Sequence, residues 1–364
     1  MELNDENVDD EIKEFIKTQT DIKIDSYSDV GCNGELYFGQ HKIFGERVAL
    51  KFYYTDKKGL SHKEPQILRS IDHPNIIKVY DAKIISENYA YFLTSEYSGG
   101  DLLKFMKTND LSTHQSISII QDILKGVSEM HKSPNRLLHR DLKPNNILIN
   151  NITYTACIAD FGSIKYLQKN QTSLIASKNS LIYRPKETVD KNEYNFQSDI
   201  YQIGLVLFQL LGGFFPNASA DWLTNKQKIK LQNISNIFEQ HQYLENTFDK
   251  LISKNKLLRF ESLSFYIDDK LKGIIRKATR PELSRRYKSA SEFMNALYRY
   301  KANSFDWLDS DESFIATKKN ETTYRIFNTK KGYCVEKKIK GGITRQMRNH
   351  DKTIPGIIEA IKHD

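Results

Sequence analysis

The chain has 364 residues, 39% hydrophobic and 11% aromatic, enough to bury a sizeable core and fill two or three domain-sized units. Its net charge of +8 is unevenly placed: residues 1–14 carry one Lys against seven acids, and residues 317–364 carry twelve Lys and Arg against five acids. Three cysteines without metal-ligand spacing exclude a disulfide framework and a zinc knuckle, the acidic start excludes an ordinary signal peptide, and the longest apolar run, 203–215, is too short for a bilayer. A cytoplasmic, reducing setting with no membrane partner is the expectation.

In chain order, residues 1–21 read as an acidic, flexible arm. From Ile22 to Asp56 the pattern is β-rich, punctuated by Gly31, Gly34 and Gly39, and residues 89–97 read as a further strand. Within the first stretch, Val48-Ala49-Leu50-Lys51 alternates so that Ala49 and Lys51 share a face. A helix with Pro65 in its first turn follows, Ile67 and Leu68 on its apolar side. Residues 111–132 have the spacing of a core helix, through Ile117, Ile120, Ile123, Leu124, Val127 and Met130. The apolar run 203–215, interrupted by Gln209, predicts a buried helix. Added helices are expected between Pro216 and Arg286, with Ile229, Ile234, Ile237 and Phe238 as their packing face. Beyond Phe305, residues 322–327 and 333–339 predict a hairpin across Asn328-Thr329-Lys330-Lys331-Gly332, and Ile354 to Ile361 a helix opened by Pro355.

The chemistry concentrates in residues 138–162. They read Leu-His-Arg-Asp-Leu-Lys-Pro-Asn-Asn-Ile-Leu-Ile, then a polar turn, then Cys-Ile-Ala-Asp-Phe-Gly. Moving a phosphoryl group from ATP to a hydroxyl takes little covalent help. It needs metal ions for the triphosphate charge, a lysine near the phosphates and a carboxylate that orients the hydroxyl. Asp141 suits the orienting role, Asn146 and Asp160 offer the hard oxygens that Mg²⁺ accepts, and Lys143 lies within reach of the transferred phosphate. The stretch resembles the HRDLKPxN and DFG motifs of the protein kinases, matched from Asp141 to Asn146 and from Asp160 to Gly162.

That resemblance covers residues 24–300 and implies an α+β, bilobal protein kinase fold. A β-rich N-lobe would occupy residues 22–97 and a mainly helical C-lobe residues 98–302, with an enlarged helical region at 217–280. A small basic α+β extension, 303–364, matches no family. ATP and Mg²⁺, with Mn²⁺ as a substitute, are the implied cofactors. The segment from Val30 to Leu36 resembles a contracted glycine-rich loop, whose backbone amides lie over phosphates because glycine removes the side chain that would block them. Gly31 takes the place of its first glycine and Gly34 of its third, Val30 precedes them, and Leu36 covers the adenine. Lys51, beside Ala49, becomes the lysine that grips the α- and β-phosphates, with Glu64 as its partner. Ser95-Glu96-Tyr97 resembles the hinge, where backbone groups of Glu96 and Tyr97 bind adenine, Asp101 binds the ribose, and the small Ser95 leaves a pocket behind the adenine; the segment is one residue short.

By the same resemblance, His139 is a structural prop, and Arg140 can clamp a phosphate on the activation segment, 160–187. There Thr172, Ser173 and Ser177 are acceptors by position. Glu187 should pair with Arg286, and Asp199 should cap amides of the catalytic loop. Asn179-Ser180 stands where the family has Gly-Thr, and Pro185-Lys186 also departs from its pattern, which bears on substrate docking.

The resulting expectation is a serine/threonine protein kinase that transfers the γ-phosphoryl group of ATP to protein hydroxyls, itself included. Lys143 favours Ser and Thr acceptors by resemblance. One alternative is a catalytically weak scaffold on the same fold, for which the short glycine loop and the altered Pro185-Lys186 speak. Another is an enzyme that phosphorylates a small molecule or nucleotidylates proteins. The basic tail could hold nucleic acid, an acidic substrate or the acidic arm, and the abundance of Lys, Asn and Ile resembles an AT-rich microbial genome.

Overall fold

In the computed structural model, residues 9–28, 34–55, 62–176, 180–310, 312–330, 332–347 and 353–364 are described. The chain divides into two units, Met1–Leu102 with Asn146–Ile164, and Leu103–Asn145 with Lys165–Asp364. No helix among the described residues is long and apolar enough to cross a membrane.

Helix α1 (Asp10–Thr18) opens the first unit and precedes an antiparallel sheet in the order β1-β2-β3-β5-β4. The strands are β1 (Ile22–Ser28), β2 (Leu36–His41), β3 (Arg47–Tyr54), β4 (Val79–Ile84) and β5 (Tyr89–Ser95), with helix α2 (Lys63–Arg69) between β3 and β4. Alternation puts Tyr37, Val48, Leu50, Phe52, Tyr91 and Leu93 on one face, where they form a core with Ile12, Phe15 and Ile16 of α1. The Phe15 ring lies 5.9 Å from Phe52 and 5.1 Å from Tyr91. The stretch expected as an acidic arm therefore contains a docked helix. Three apolar residues at positions i, i+3 and i+4 suffice to bury one side, and the surrounding acids mask that period in the composition. Asp9 caps the helix by accepting the Glu11 N–H.

The chain then runs through α3 (Leu102–Thr108), α4 (Thr113–His131) and β6 (Leu137–Leu138), and re-enters the first unit as the hairpin β7 (Ile147–Ile149) and β8 (Ala156–Ile158). The Ile77 N–H donates to the Ile158 carbonyl and the Ile158 N–H to the Asn75 carbonyl, both at 2.9 Å, which fixes the hairpin beside the segment before β4.

In the second unit, α6 (Phe196–Leu210) is buried along nearly its whole length, as its apolar run implies. It packs against α4 and against α9 (Asp269–Ala278), and α4 also carries α10 (Ala290–Lys301). β9 (Lys165–Tyr166) pairs with β6, and β10 (Leu174–Ile175) pairs with β11 (Glu193–Tyr194); α5 (Lys186–Asp190) lies between β10 and β11. The added region forms α7 (Asn225–Gln232) and α8 (Ile237–Ser253). The expected packing face is corrected here: Ile229, Ile237 and Phe238 are 59%, 71% and 75% exposed. Their spacing straddles the break between the two helices, so they never share a face, and α8 buries Phe248 and Ile252 instead.

Beyond residue 303 the unit continues as a five-stranded meander, β12 (Asp306–Ser310), β13 (Ser313–Thr317), β14 (Thr323–Thr329), β15 (Gly332–Lys338) and β16 (Arg345–Gln346), closed by α11 (Ile354–His363). The expected hairpin is β14–β15, and α11 starts at its proline. The other three strands were not legible in the sequence. Trp307, Ala316, Tyr324, Ile326 and Val335 meet Ile357 and Ile361 in a core of their own, with Phe265, Tyr266 and Phe305 packed on it. Asp306 joins the sheet to α4: its carboxylate accepts the His114 N–H at 2.7 Å, the Ser112 hydroxyl at 3.0 Å and the Thr113 hydroxyl at 3.3 Å.

Candidate active site

The register of the first sheet builds the nucleotide side. Leu36 pairs with Lys51, Phe38 and Thr94 with Ala49, and Phe92 with Lys51, so these side chains leave the face opposite to α1. Lys51 Nζ lies 2.9 and 3.1 Å from the two Glu64 oxygens, 3.7 Å from Asp160 Oδ1, and over the Phe92 ring. Burial alone would pull the Lys51 pKa down, but the Glu64 and Asp160 charges outweigh it and raise the pKa. The ammonium stays charged. Glu64 also accepts the Phe161 N–H at 3.2 Å, so one carboxylate holds the lysine and the residue after Asp160.

Asp160 has a φ of +57°. The Ala159 N–H donates to the Asn146 carbonyl at 2.9 Å, which ties the main chain just before Asp160 to that of Asn146. An amide oxygen and a carboxylate there are hard donors of the kind Mg²⁺ or Mn²⁺ takes, so the residues fit such an ion.

At the end of β5 the parity of the strand corrects the sequence reading. Thr94, buried, shares the face of Ala49 and Lys51, whereas the Ser95 hydroxyl meets the Tyr80 hydroxyl at 2.5 Å on the other side. A slip of one residue exchanges the faces of a strand. Thr94, not Ser95, lies on the Lys51 face, opposite Ala49, and counting from it removes the one-residue shortfall before Asp101. The Glu96 N–H donates to the Arg47 carbonyl at 3.2 Å and its carboxylate takes the Arg47 guanidinium at 2.7 Å, so Glu96 closes the end of the β3–β5 ladder. The Tyr97 carbonyl accepts the Gly100 N–H at 2.9 Å, and Asp101 bridges to Leu148 of β7. Gly34 has a φ of +145°, and a Cβ there would stand 1.9 Å from the Phe52 carbonyl oxygen, so only glycine fits. Val30 and Gly31 lie outside the described residues.

The second unit carries the catalytic loop. Asp141 is buried; Lys143 Nζ sits 2.9 Å from its Oδ2 and 2.9 Å from the Ser180 hydroxyl, which in turn donates to Asp141 Oδ1. In the sequence Ser180 appears only as a departure from Gly-Thr, and the surviving hydroxyl was the signal for its place here. Asp199 holds the loop from beneath, accepting the Arg140 N–H at 3.0 Å, the His139 N–H at 3.1 Å, the Tyr194 hydroxyl at 2.6 Å and His131 Nε2 at 2.8 Å. Burial alone would raise its pKa, but the bonds from His131, Tyr194 and Arg140 hold it below the usual carboxylate value. His139 is fully buried and its Nδ1 accepts the Asp141 N–H at 3.4 Å. The Arg140 guanidinium donates to the Ile175 carbonyl at 2.9 Å, which holds the activation segment by its main chain. Thr172 and Ser173 are in that segment; Ser177 lies outside the described residues. Glu187 and Arg286 form the expected buried fork, with bonds of 2.8 and 3.0 Å.

The first unit thus holds a lysine between two acids, and the second a loop carboxylate backed by another lysine, side-chain types that phosphoryl transfer calls on. Residues 30–299 match the family model described as the protein kinase domain, and the chain belongs to that family. It is 31% identical over 198 residues to the serine/threonine-protein kinase TIO of Arabidopsis thaliana, covering 52% of this chain and 14% of that one. To the serine/threonine-protein kinase PrkC of Bacillus subtilis (strain 168) it is likewise 31% identical over 198 residues, 51% of this chain and 29% of that one. The match thus spans less than a third of either relative. Family membership lends no support to nucleic acid as a partner.

Proposed function

We propose that the protein is a cytoplasmic, ATP-dependent serine/threonine protein kinase that also phosphorylates itself. The observation that carries the proposal is Lys51, kept charged between Glu64 and Asp160. Lys51 would grip the α- and β-phosphates. Gly31, Gly34 and Leu36 would cover the nucleotide beside Val30, Ala49 and Thr94 would line the adenine with the backbone of Tyr97, and Asp101 would take the ribose. Asn146 and Asp160 would hold Mg²⁺, which offsets the negative charge of the phosphates when bound. Asp141 would orient the attacking hydroxyl and accept its proton, with Lys143 stabilising charge on the transferred group. Ser180 supports this role, because Asp141 already accepts an aliphatic hydroxyl.

The test is incubation of the purified protein with Mg·ATP beside Asp141→Ala and Lys51→Ala, followed by intact-mass and peptide mass spectrometry. Phosphate on Ser or Thr in the wild type alone is the expected result, with Thr172, Ser173 and Ser177 the sites to inspect. AMP adducts would replace the proposal with nucleotidyl transfer. Nucleotide binding without turnover on any protein would replace it with a scaffold.

A further inference from the structure

Glu64 stands in the first turn of a helix that does little to hold it. α2 has seven residues, well below the roughly 12–15 at which an isolated helix becomes marginal. Its N-cap, His62, makes no side-chain capping bond, and Pro65 brings no N–H to the first turn. The far half is anchored, since Ile67 and Leu68 are buried and the Arg69 guanidinium donates to the Val79 carbonyl at 3.2 Å. In the near half Pro65 is buried, and the turn that carries Glu64 is otherwise held by ties to other elements.

Besides the bonds of Glu64 itself, one such tie is a 2.9 Å hydrogen bond between the Tyr53 hydroxyl and His62 Nδ1. Tyr53 and Lys51 are two residues apart on β3 and leave the same face of the sheet. His62 and Glu64 are two residues apart at the start of α2. Tyr53–His62 and Lys51–Glu64 are therefore two ties between the same strand and the start of the same helix. The Tyr53 ring packs edge-on against His62 at 5.8 Å and lies 6.0 Å from Phe92, while Ala90, opposite Tyr53 on β5, leaves room for it. Burial, aided by the Glu64 charge, pushes the Tyr53 pKa up to about 12, so the hydroxyl keeps its proton throughout the working range. Beside this hydrogen bond opens a cavity of about 450 Å³, lined by Tyr53, His62, Pro65, Gln66 and residues of β4.

We propose that Tyr53 and His62 are positioning residues whose hydrogen bond holds the start of α2 and thereby keeps Glu64 on Lys51. The catalytic consequence rests on the kinase reading; the structural one does not. Two readouts on the full chain separate them. In hydrogen exchange without nucleotide, Tyr53→Phe and His62→Leu speed exchange of residues 62–69, and His62→Asn, whose side-chain oxygen can accept the tyrosine hydroxyl, reverses most of that gain. In phosphoryl transfer, Tyr53→Phe lowers kcat about three- to tenfold, the worth of one hydrogen bond, leaves KM for the protein substrate unchanged, and adds no further loss to Glu64→Gln. Unchanged exchange in Tyr53→Phe overturns the proposal, as does an equal kcat loss with and without Glu64. A wild type that transfers no phosphate overturns the kinase reading instead, and the exchange measurement still decides the tie.

Discussion

Thr94 and Ser95 are neighbours on β5 and face opposite ways, so the choice between them decides how much room lies beside Lys51. Thr94→Gly should admit ATP analogues bulky at the adenine amino group, as read by displacement of a labelled nucleotide, while Ser95→Gly should not. The reverse order would put Ser95 back at that position. Asp199 makes a prediction with a defined sign. Its folded pKa lies below the unfolded value of 3.8, so its contribution to stability is complete above 3.8 and is lost as pH falls below it through the folded value. Asp199→Asn should lower stability at neutral pH and flatten that acid limb in urea titrations; curves that stay parallel would refute the assignment. At the Glu187–Arg286 fork, Arg286→Met strands a buried carboxylate and should cost about 3–5 kcal/mol. Adding Glu187→Met should recover part of it, because the uncompensated charge goes.

At the scale of elements, α1 and the C-terminal meander are held by few residues each. Phe15→Ala removes the ring that joins α1 to Phe52 and Tyr91 and should cost about 3–5 kcal/mol in the first unit, seen as faster hydrogen exchange in β3 and β5. Asp306→Ala removes the shared acceptor for three donors at the start of α4. It should expose residues from 303 onward to limited proteolysis while leaving α6 protected. Thiol labelling distinguishes the elements too. Burial in β8 pushes the Cys157 thiol up to about 12, so it should resist maleimide until unfolding, whereas the half-buried Cys334 in β15 should react in the native state.

For the whole molecule, the residues proposed for phosphoryl transfer divide by unit. Lys51, Glu64, Asn146 and Asp160 belong to the first, and Asp141, Lys143 and Ser180 to the second. Asp141→Asn should therefore abolish transfer while leaving nucleotide affinity within about threefold, since its bonds are to Lys143 and Ser180. Lys51→Met should lose both. Equal loss of binding in the two variants would contradict this division of roles.

The sequence by itself determined the family. Asp141, Lys143 and Asn146 sit within six residues, and Asp160 begins a three-residue motif, so a match to the protein kinase motifs needs only local spacing. Periodicity likewise gave α4, α6, the β14–β15 hairpin and α11, whose apolar positions repeat within one element. Tertiary structure alone decided what depends on pairing. The register of β3 against β5 chose Thr94 over Ser95, because facing is fixed by a partner strand rather than by the strand's own residues. The outer face of the first sheet turned a run of acids into a docked helix. Ile229, Ile237 and Phe238 stayed in solvent because a break between α7 and α8 split their period. Ser180 came to Asp141, and Tyr53 to His62, by chain reversals whose closure no local pattern records.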